Sequence, residues 1–315
     1  KGRNVSNNGS LHKGKEGAMK RRDLVKMFWA IIVVMFFPLT VSALDLPPIV
    51  STRSLEENLY APGLVILDVR KVEYYREGHI PGAINAFYRA WPFKKVTLNA
   101  EVPDMEDLFD LIGSNGITPS SRVVIVGKTD SWQERVHMAR VACTLKYAGV
   151  ERISILDGGH NKWVRDGKVL SREAVHQIPI VFTGKIDKNL FVDKDYIQQR
   201  LGKILLVDVR EPAFYPGQKK AAVAARAGRI PGAVNLPTSW MFTGEGTFKS
   251  KDDLAILASV VVGQDPDREM ITYCDTGTCC PTWHFVLREV LGYKRVYLYD
   301  GSIEEWTADP NAPVQ

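Results

Sequence analysis

Short apolar runs of four to six residues recur along the chain and end at a polar or small residue. They are rich in Val, Ile and Leu, which is typical of strands buried on both faces of a parallel sheet. Between these runs lie longer segments with apolar positions at helical spacing, of which 134–149 and 281–293 are clear examples. Strands that alternate with helices predict an α/β fold, with parallel sheets flanked by helices on both faces.

The same series of motifs occurs twice, which predicts two tandem copies of one domain. GHIPGAIN at 78–85, for example, returns as GRIPGAVN at 228–235. The order of the motifs is the same in both halves, so one short shared motif does not explain the repetition. The other matched segments are 64–70 with 204–210, 122–130 with 269–277, and 153–163 with 296–306.

These motifs divide the chain after an N-terminal extension. We expect an extension with an export signal at 1–43, domain 1 at 47–170, a linker at 171–189 and domain 2 at 190–315. The linker segment has no counterpart in the other half of the chain. A chain of 315 residues is long enough for two domains, each with its own core.

The positive charge of the chain is concentrated near its N-terminus. Residues 1–43 contain eight Lys/Arg and two Asp/Glu, which leaves 33 basic and 34 acidic residues for the rest. The body therefore lacks the basic surplus of a nucleic-acid-binding protein. A basic stretch from Met19, the apolar run 27–41 and small residues up to Ala43 predict a Sec or twin-arginine export signal. We expect a periplasmic or otherwise exported protein, anchored in the membrane if the signal is not cleaved.

Three of the four cysteines lie together in YCDTGTCC, residues 273–280. Cys274 ends a predicted strand, and ligand sites of open parallel sheets form at the carboxyl ends of strands. The equivalent position of domain 1 is Gly127, so domain 1 is either structural or a wall of the site. Cys143 lies in a helical pattern and is expected to be a small buried hydrophobe.

The paired DVR…G-x-IPGA-[IV]-N…DGG/DGS…W motifs resemble those of tandem-domain rhodaneses, in the thiosulfate and 3-mercaptopyruvate sulfurtransferase family, over residues 47–315. The loop that begins at Cys274 resembles that of the exported branch. The resemblance implies two five-stranded parallel sheets flanked by helices, an inactive domain 1 and an active domain 2. We expect a monomer with no cofactor and no metal site.

The reaction implied is the transfer of sulfane sulfur through a persulfide on Cys274. The donor would be a small sulfur compound such as thiosulfate, and the acceptor a thiol or a cyanide-like nucleophile. Backbone N–H groups ahead of a helix lower the pKa of a thiol and stabilise an anionic persulfide. We expect the loop that supplies them to consist of Asp275, Thr276, Gly277, Thr278, Cys279 and Cys280.

Cys279 and Cys280 depart from the family pattern, which has Arg, Thr or Ser and then a small residue. We expect Cys280 to pack into the start of the following helix. Cys279 is expected to face the pocket, where it could resolve the persulfide as a disulfide with Cys274, opened by an exported thiol reductant.

Two other classes of function stay open. One is a thiol-disulfide or metalloid oxidoreductase that uses Cys274 and Cys279, and the other is a non-enzymatic carrier of sulfur, selenium or a metal ion. Rhodanese-fold phosphatases have an arginine six residues after the catalytic cysteine, where this chain has Cys280. The loop therefore argues against phosphate-ester hydrolysis, because nothing in it can grip a tetrahedral oxyanion in bidentate fashion.

Candidate substrate-binding residues come from domain 2, which carries ten more residues than domain 1 between its first two motifs. In the family this stretch borders the pocket and supplies basic residues. The resemblance therefore implies that Arg226 and Arg229 bind the donor, with Arg210 as a further candidate. Phe214 stands where many family members have a second arginine, which leaves the identity of the donor open.

Overall fold

The computed structural model describes Gly2 and residues 45–315. The predicted export signal lies outside the described residues. Within the part that is described, no helix is both long and apolar enough to cross a membrane.

Residues 45–315 form two five-stranded sheets with entirely parallel pairing, as the alternation of strands and helices predicts. A separate antiparallel hairpin, β4–β5, projects from domain 1. The strands are β1 Ile49–Val50, β2 Leu64–Asp68, β3 Ile84–Asn85, β4 Phe93–Lys95, β5 Leu98–Glu101, β6 Arg122–Val126, β7 Arg152–Leu156, β8 Phe191–Val192, β9 Leu205–Asp208, β10 Val234–Asn235, β11 Met270–Tyr273 and β12 Val296–Tyr299.

Helices flank both sheets, and the two segments with clear helical spacing are helical. The α-helices are α1 Thr52–Glu56, α2 Val72–Glu77, α3 Met105–Ser114, α4 Trp132–Tyr147, α5 Gly159–Arg165, α6 Lys194–Gln198, α7 Lys251–Val262, α8 Cys280–Phe285 and α9 Ser302–Ala308. Helix α8 continues as a π-helix over Val286–Val290, and 3-10 turns lie at Tyr88–Ala90 and Thr238–Met241.

The two sheets have the same topology, which confirms that the sequence repeat is a repeated fold. The order is β1-β7-β6-β2-β3 in the first sheet and, from the matching edge, β8-β12-β11-β9-β10 in the second. Strands β6 and β11 therefore occupy the same central position. Gly127 follows β6 and Cys274 follows β11, so both residues lie at the carboxyl end of the central strand.

Each sheet contains the same buried ion pair at the end of one strand. Arg70 donates to Asp68 and to the carbonyl of Gly78, and Arg210 donates to Asp208 and to the carbonyl of Gly228. The pair recurs in domain 1, which has glycine in place of Cys274. Its role in domain 1 is therefore to brace the turn after the strand.

The two domains share one continuous apolar core. Helix α4 of domain 1 packs against α8, the helix that follows the cysteine loop, and Met138 and Ala142 on α4 belong to the same core cluster as Trp283 on α8. The thiol of Cys143 is buried at this interface and donates to the carbonyl of Pro281 at 3.5 Å. Cys143 is thus a buried small side chain, as predicted.

A single arginine from domain 1 crosses this interface and reaches the back of the cysteine loop. Arg140, on α4, is fully buried and forms an ion pair with Asp300, which follows β12. The same guanidinium donates to the carbonyl of Gly277 at 3.0 Å and to that of Ala100 at 2.7 Å. Domain 1, which has Gly127 at the position of Cys274, therefore holds the cysteine loop of domain 2.

Replacing Arg140 by Met should destabilise the protein strongly, because it leaves Asp300 buried without its counter-charge. Breaking a buried ion pair on one side costs about 3–5 kcal/mol of unfolding free energy. Lys146→Ala, on the same helix, removes a partly exposed ion pair to Glu289 and should cost about 1 kcal/mol or less. Urea denaturation measures both variants. A loss for Arg140→Met no larger than that for Lys146→Ala would contradict the importance of this pair.

Candidate active site

The start of α9 holds the backbone of Cys274 in place at the end of β11. The N–H of Cys274 donates to Ser302 Oγ at 3.1 Å, and the carbonyl of Cys274 accepts the N–H of Ile303, also at 3.1 Å. Ser302 has a φ of 51°, a left-handed conformation that is unfavourable for a serine and persists only where the surroundings fix it. The strained turn thus supplies the hydrogen bonds that fix the backbone of Cys274.

The loop after Cys274 bends sharply at Gly277. Its φ of 77° lies in the left-handed region, and a Cβ at this position would clash with the side chain of Asp300. On either side, Thr276 and Thr278 share a hydrogen bond between their hydroxyls at 3.1 Å. Glycine is therefore required both by the backbone conformation and by the closeness of the ion pair beneath the loop.

Donor groups of Cys279 and Cys280 surround the sulfur of Cys274. The N–H of Cys279 donates to Cys274 Sγ at 3.3 Å. The thiols of Cys279 and Cys280 also hydrogen-bond to this sulfur, and so does the N–H of Cys280. Helix α8 begins at Cys280, with Pro281 in its first turn, where a missing N–H costs nothing. The sequence predicted that Cys280 packs into the start of the helix. Its thiol does more than this, because it also reaches Cys274.

These contacts make Cys274 the most acidic of the three thiols. Burial opposes ionisation of Cys274, but the thiol and amide donors of Cys279 and Cys280 together outweigh it and lower its pKa well below the usual value. The same hydrogen bond to Cys274, with burial, raises the pKa of Cys279, and burial with the Cys274 contact raises that of Cys280. Of the three thiols, Cys274 is therefore the one that ionises most readily, and its two protonated neighbours donate to the sulfur that results.

Asp275 is a second titratable group beside the sulfur. Burial and the neighbouring charge of Cys274 raise its pKa to about 7, although Arg210 lies 3.8 Å from its Oδ1 and opposes the shift. Asp275 Oδ1 accepts no hydrogen bond. The carboxyl group therefore changes charge near neutral pH, and its charge interacts with that of Cys274.

A cavity of about 590 Å³ lies in front of the loop, between the two domains. On the side of domain 2 it is lined by Thr276 and Thr278, and the rest of its wall comes from domain 1. The hydroxyl of Tyr88, in that wall, interacts with Thr278. The sulfur of Cys274 is almost completely buried behind these side chains. A ligand in this cavity would thus approach the cysteine past the two threonines and Tyr88.

The structure does not bring the three candidate arginines of domain 2 into the cavity. Arg226 donates to carbonyls near the C-terminus, those of Thr307, Asp309 and Ala312. Arg229 lies over the ring of Tyr215 and donates to its carbonyl at 3.3 Å.

Arg210 comes closer to the cysteine than the other two, through its contact with Asp275, but its guanidinium is occupied by Asp208. The segment that carries the ten extra residues forms turns without a regular helix. It packs against the C-terminal residues and is fixed there by hydrogen bonds. Arg226 and Arg229 therefore make their hydrogen bonds within domain 2.

Two features of the site were missed by sequence reasoning. One is Arg140, and the other is a set of basic side chains of domain 1 in the cavity wall, Lys71, Arg89 and Lys94. The signal for Arg140 was an arginine flanked by apolar residues within the helix, in MARVAC at 138–143. The basic residues of the cavity gave no signal, because nothing in the sequence shows that their loops face the other domain.

A metal-binding reading of the cysteine cluster finds no support in the geometry. Across the described residues, no group of three or more His, Cys, Asp or Glu side chains is arranged to hold a metal ion.

Comparison with known proteins identifies the family. The family model described as Rhodanese-like domain matches residues 51–166 and again 193–309. The chain belongs to the rhodanese family. Each matched range contains four of the five strands of one sheet. Membership of this family, with relatives named as thiosulfate sulfurtransferases, makes the protein a sulfurtransferase.

Relatives extend over nearly the whole described chain. A Mycolicibacterium smegmatis protein named "Putative thiosulfate sulfurtransferase" is 32% identical over 275 residues, which are 85% of this chain and 97% of the relative. A Haloferax volcanii protein of the same name is 34% identical over 262 residues, covering 80% of this chain and 88% of the relative.

Solved structures share the fold. An anaerobic ergothioneine biosynthesis enzyme from Chlorobium limicola, in complex with trimethyl histidine, superimposes with a TM-score of 0.73 at 25% identity. The alignment covers 85% of this chain and 70% of that enzyme. The wild-type structure of EanB gives a TM-score of 0.72 at 23% identity, with coverage of 85% and 69%.

Removing the thiol of Cys279 should raise the pKa of Cys274, because a donor to the thiolate is lost. A hydrogen bond to a charged group is worth about 1.5–3 kcal/mol. For Cys279→Ala this corresponds to a rise of about one to two units in the pKa of Cys274. Cys279→Ser keeps a donor of similar size and should stay closer to the wild type. The pH dependence of Cys274 alkylation by iodoacetamide, followed on the Cys274 peptide, measures the pKa. Equal values for the alanine and serine variants would contradict the role of the thiol.

Proposed function

We propose that this rhodanese transfers sulfane sulfur from a small anionic donor such as thiosulfate to a thiophilic acceptor, through a persulfide on Cys274. The observation that carries the proposal is the set of donors directed at Cys274 Sγ, headed by the N–H of Cys279 at 3.3 Å. A thiolate is the nucleophile that sulfur transfer needs, and among the three clustered cysteines the pKa of Cys274 alone is lowered.

The reaction proceeds in two displacement steps. In the first, the thiolate of Cys274 attacks the outer sulfur of thiosulfate, a new S–S bond forms, and sulfite leaves with the electron pair of the bond that breaks. In the second, cyanide or a thiolate attacks the outer sulfur of the persulfide, and Cys274 leaves as a thiolate. The donors of Cys279 and Cys280 stabilise the negative sulfur before and after each step.

A persulfidated cysteine is also the chemistry seen in a structural neighbour. One EanB structure, 25% identical with a TM-score of 0.73, contains ergothioneine covalently linked with a persulfide cysteine. This supports a persulfide route for the shared fold. The acceptor of this chain does not follow from the ligand of that neighbour.

The neighbouring thiols open a second reaction, in which a disulfide forms inside the loop. The thiol of Cys279 would attack the inner sulfur of the Cys274 persulfide, which releases hydrogen sulfide and leaves a Cys274–Cys279 disulfide. The closeness of the thiols favours this step, but the raised pKa of Cys279 opposes it, since the attacking group must be a thiolate. Sulfur transfer to an external acceptor is therefore the main reaction, and the internal disulfide is a slow branch that an exported thiol reductant would reverse.

Peptide mapping distinguishes the two branches. After loading with thiosulfate and incubation without acceptor, the persulfide should remain on the Cys274 peptide. Rapid appearance of a Cys274–Cys279 disulfide together with released sulfide would place the protein among the thiol-disulfide enzymes instead. The expected export signal would put either reaction in an oxidising compartment, which cell fractionation of the full-length protein tests.

Replacing Cys274 by Ser should abolish sulfur transfer and leave the fold intact. A hydroxyl is a far poorer nucleophile at neutral pH, so the thiosulfate:cyanide activity should fall at least about a hundredfold. Mass spectrometry should show one added sulfur atom on the wild type after thiosulfate treatment and none on the variant. Cys143→Ala, which removes the buried thiol outside the loop, is the matched control and should keep its activity. Persulfide formation in Cys274→Ser would overturn the assignment.

The rate of persulfide formation with thiosulfate should fall as the pH rises through about 7. Below this value Asp275 is neutral, and above it the carboxylate repels a dianionic donor at close range. Asp275→Asn stays neutral at every pH, so its rate should not show the fall. Stopped-flow measurement of the pH profile under single-turnover conditions tests this. If the rate falls in the same way in Asp275→Asn, the pH dependence belongs to another group.

A further inference from the structure

The cavity in front of the cysteine loop is built mainly from the strand ends of domain 1. Residues 69–71, which follow β2, and residues 127–128, which follow β6, line it together with the turn Tyr88–Ala90. Carboxyl ends of parallel strands are where open α/β sheets bind ligands. Domain 1 has Gly127 in place of a nucleophile, but its ligand-binding edge is open and faces the loop of domain 2.

The wall that domain 1 contributes is strongly cationic. Three of its side chains, Lys71, Arg89 and Lys94, have no ion pair with any residue in the described part of the chain. Lys128 and Arg70 also line the cavity but are neutralised, Lys128 by Asp130 at 2.7 Å. Glu134 also lines the cavity and lies 3.9 Å from Lys128, so the cations still outnumber the acidic groups. An excess of cations in a cavity raises the local concentration of anions, so the expected ligand is anionic.

Aromatic side chains cover the space between these cations and the loop. Tyr88 stacks on His137 with ring centroids 3.7 Å apart, and Phe87 and Tyr74 lie beside them. Burial, with the nearby Arg89, lowers the pKa of His137 to about 4, so this ring is neutral at physiological pH. The floor of the cavity is therefore suited to the carbon skeleton of a ligand, with charge recognised at its rim.

The size of the cavity favours an organic ligand over a simple inorganic anion. A volume of 590 Å³ lies within the range of about 300–1,000 Å³ that is usual for sites of organic molecules. Thiosulfate has five heavy atoms and would fill a small part of it. The hairpin that carries Lys94 is held against domain 2 by Asn99, whose N–H donates to Glu304 at 3.1 Å, so Lys94 is kept at the cavity.

From this arrangement we infer that domain 1 binds the carboxylate groups of an organic sulfur donor, a low-molecular-weight persulfide with at least two carboxylates. Arg89 and Lys94 hold the carboxylates, and the persulfide points past Tyr88 and Thr278 to Cys274. The thiolate of Cys274 attacks the outer sulfur, the S–S bond of the donor breaks, and the donor leaves as a thiolate while the sulfur and its proton stay on Cys274. This inference rests on the proposed sulfur transfer but assigns donor recognition to the domain that has no nucleophile.

Binding can be measured apart from chemistry with glutathione sulfonate, an unreactive dicarboxylate, and Cys274→Ser protein in calorimetric titrations. Arg89→Gln and Lys94→Gln should each weaken binding about threefold, and together about tenfold, as expected for partly exposed charge pairs. Affinity should also fall at high ionic strength. Arg76→Gln removes an exposed arginine of domain 1 that does not line the cavity and should bind as the parent does. Absence of binding, or equal affinities for all variants, would overturn the inference.

Kinetics separate this inference from the proposed function. Glutathione persulfide and its diethyl ester have the same reacting group, but the ester lacks the carboxylates. Protein with an intact Cys274 should take sulfur from the acid about tenfold faster than from the ester, and the Arg89→Gln/Lys94→Gln variant should lose this preference while its rate with the ester is unchanged. Equal rates for acid and ester in the wild type would overturn the recognition by domain 1 and leave sulfur transfer standing. Failure of every donor to load Cys274, in protein that binds glutathione sulfonate, would overturn the proposed function alone.

Discussion

The buried ion pair between Arg140 and Asp300 is the contact on which the active site depends. Arg140 comes from the middle of α4 in domain 1, and it brings a full positive charge into the fully buried part of the interface. A buried charge is tolerated only with a counter-charge and hydrogen bonds for its remaining donors. Asp300 and the carbonyls of Gly277 and Ala100 supply them for the two terminal nitrogens of Arg140, whereas its Nε has no hydrogen-bond partner among the described residues. The conformation of the cysteine loop is therefore fixed by the way the two domains pack.

Fixing the loop also determines which cysteine ionises. The chain has three neighbouring thiols, and an unconstrained loop would let any of them share the negative charge. With Gly277 pinned, the amides of Cys279 and Cys280 and both of their thiols converge on Cys274. Each donor that serves the Cys274 thiolate is itself made harder to deprotonate, as the raised pKa values of Cys279 and Cys280 show. The chemical difference between the three sulfurs thus arises from geometry, since their intrinsic chemistry is the same.

The sequence was sufficient for the fold because the repeated motifs coincide with the strands and turns that define it. Short apolar runs gave the parallel strands, and the equivalence of Gly127 with Cys274 followed from the order of the repeat. The cavity could not be predicted in the same way. Arg226 and Arg229 lie in a segment that is free to fold in many ways, and it folds onto the C-terminus. Arg89 and Lys94 reach the site only because domain 1 packs face to face with domain 2, which no local pattern encodes.

The packing of the two domains also accounts for the asymmetry between the two copies. A Cβ at Gly127 would lie 2.9 Å from Met138 Cγ, and Met138 is on α4, the helix that packs against α8 and carries Arg140. The carbonyl of Gly127 accepts the N–H of His160 at 2.9 Å, which closes the strand end further. A nucleophilic side chain at this position would push against the helix that organises the other active site. A cysteine in the copy that braces the cysteine loop would therefore require the side chain of Met138 to move, and with glycine there the strand edge contributes charge and shape to the shared cavity.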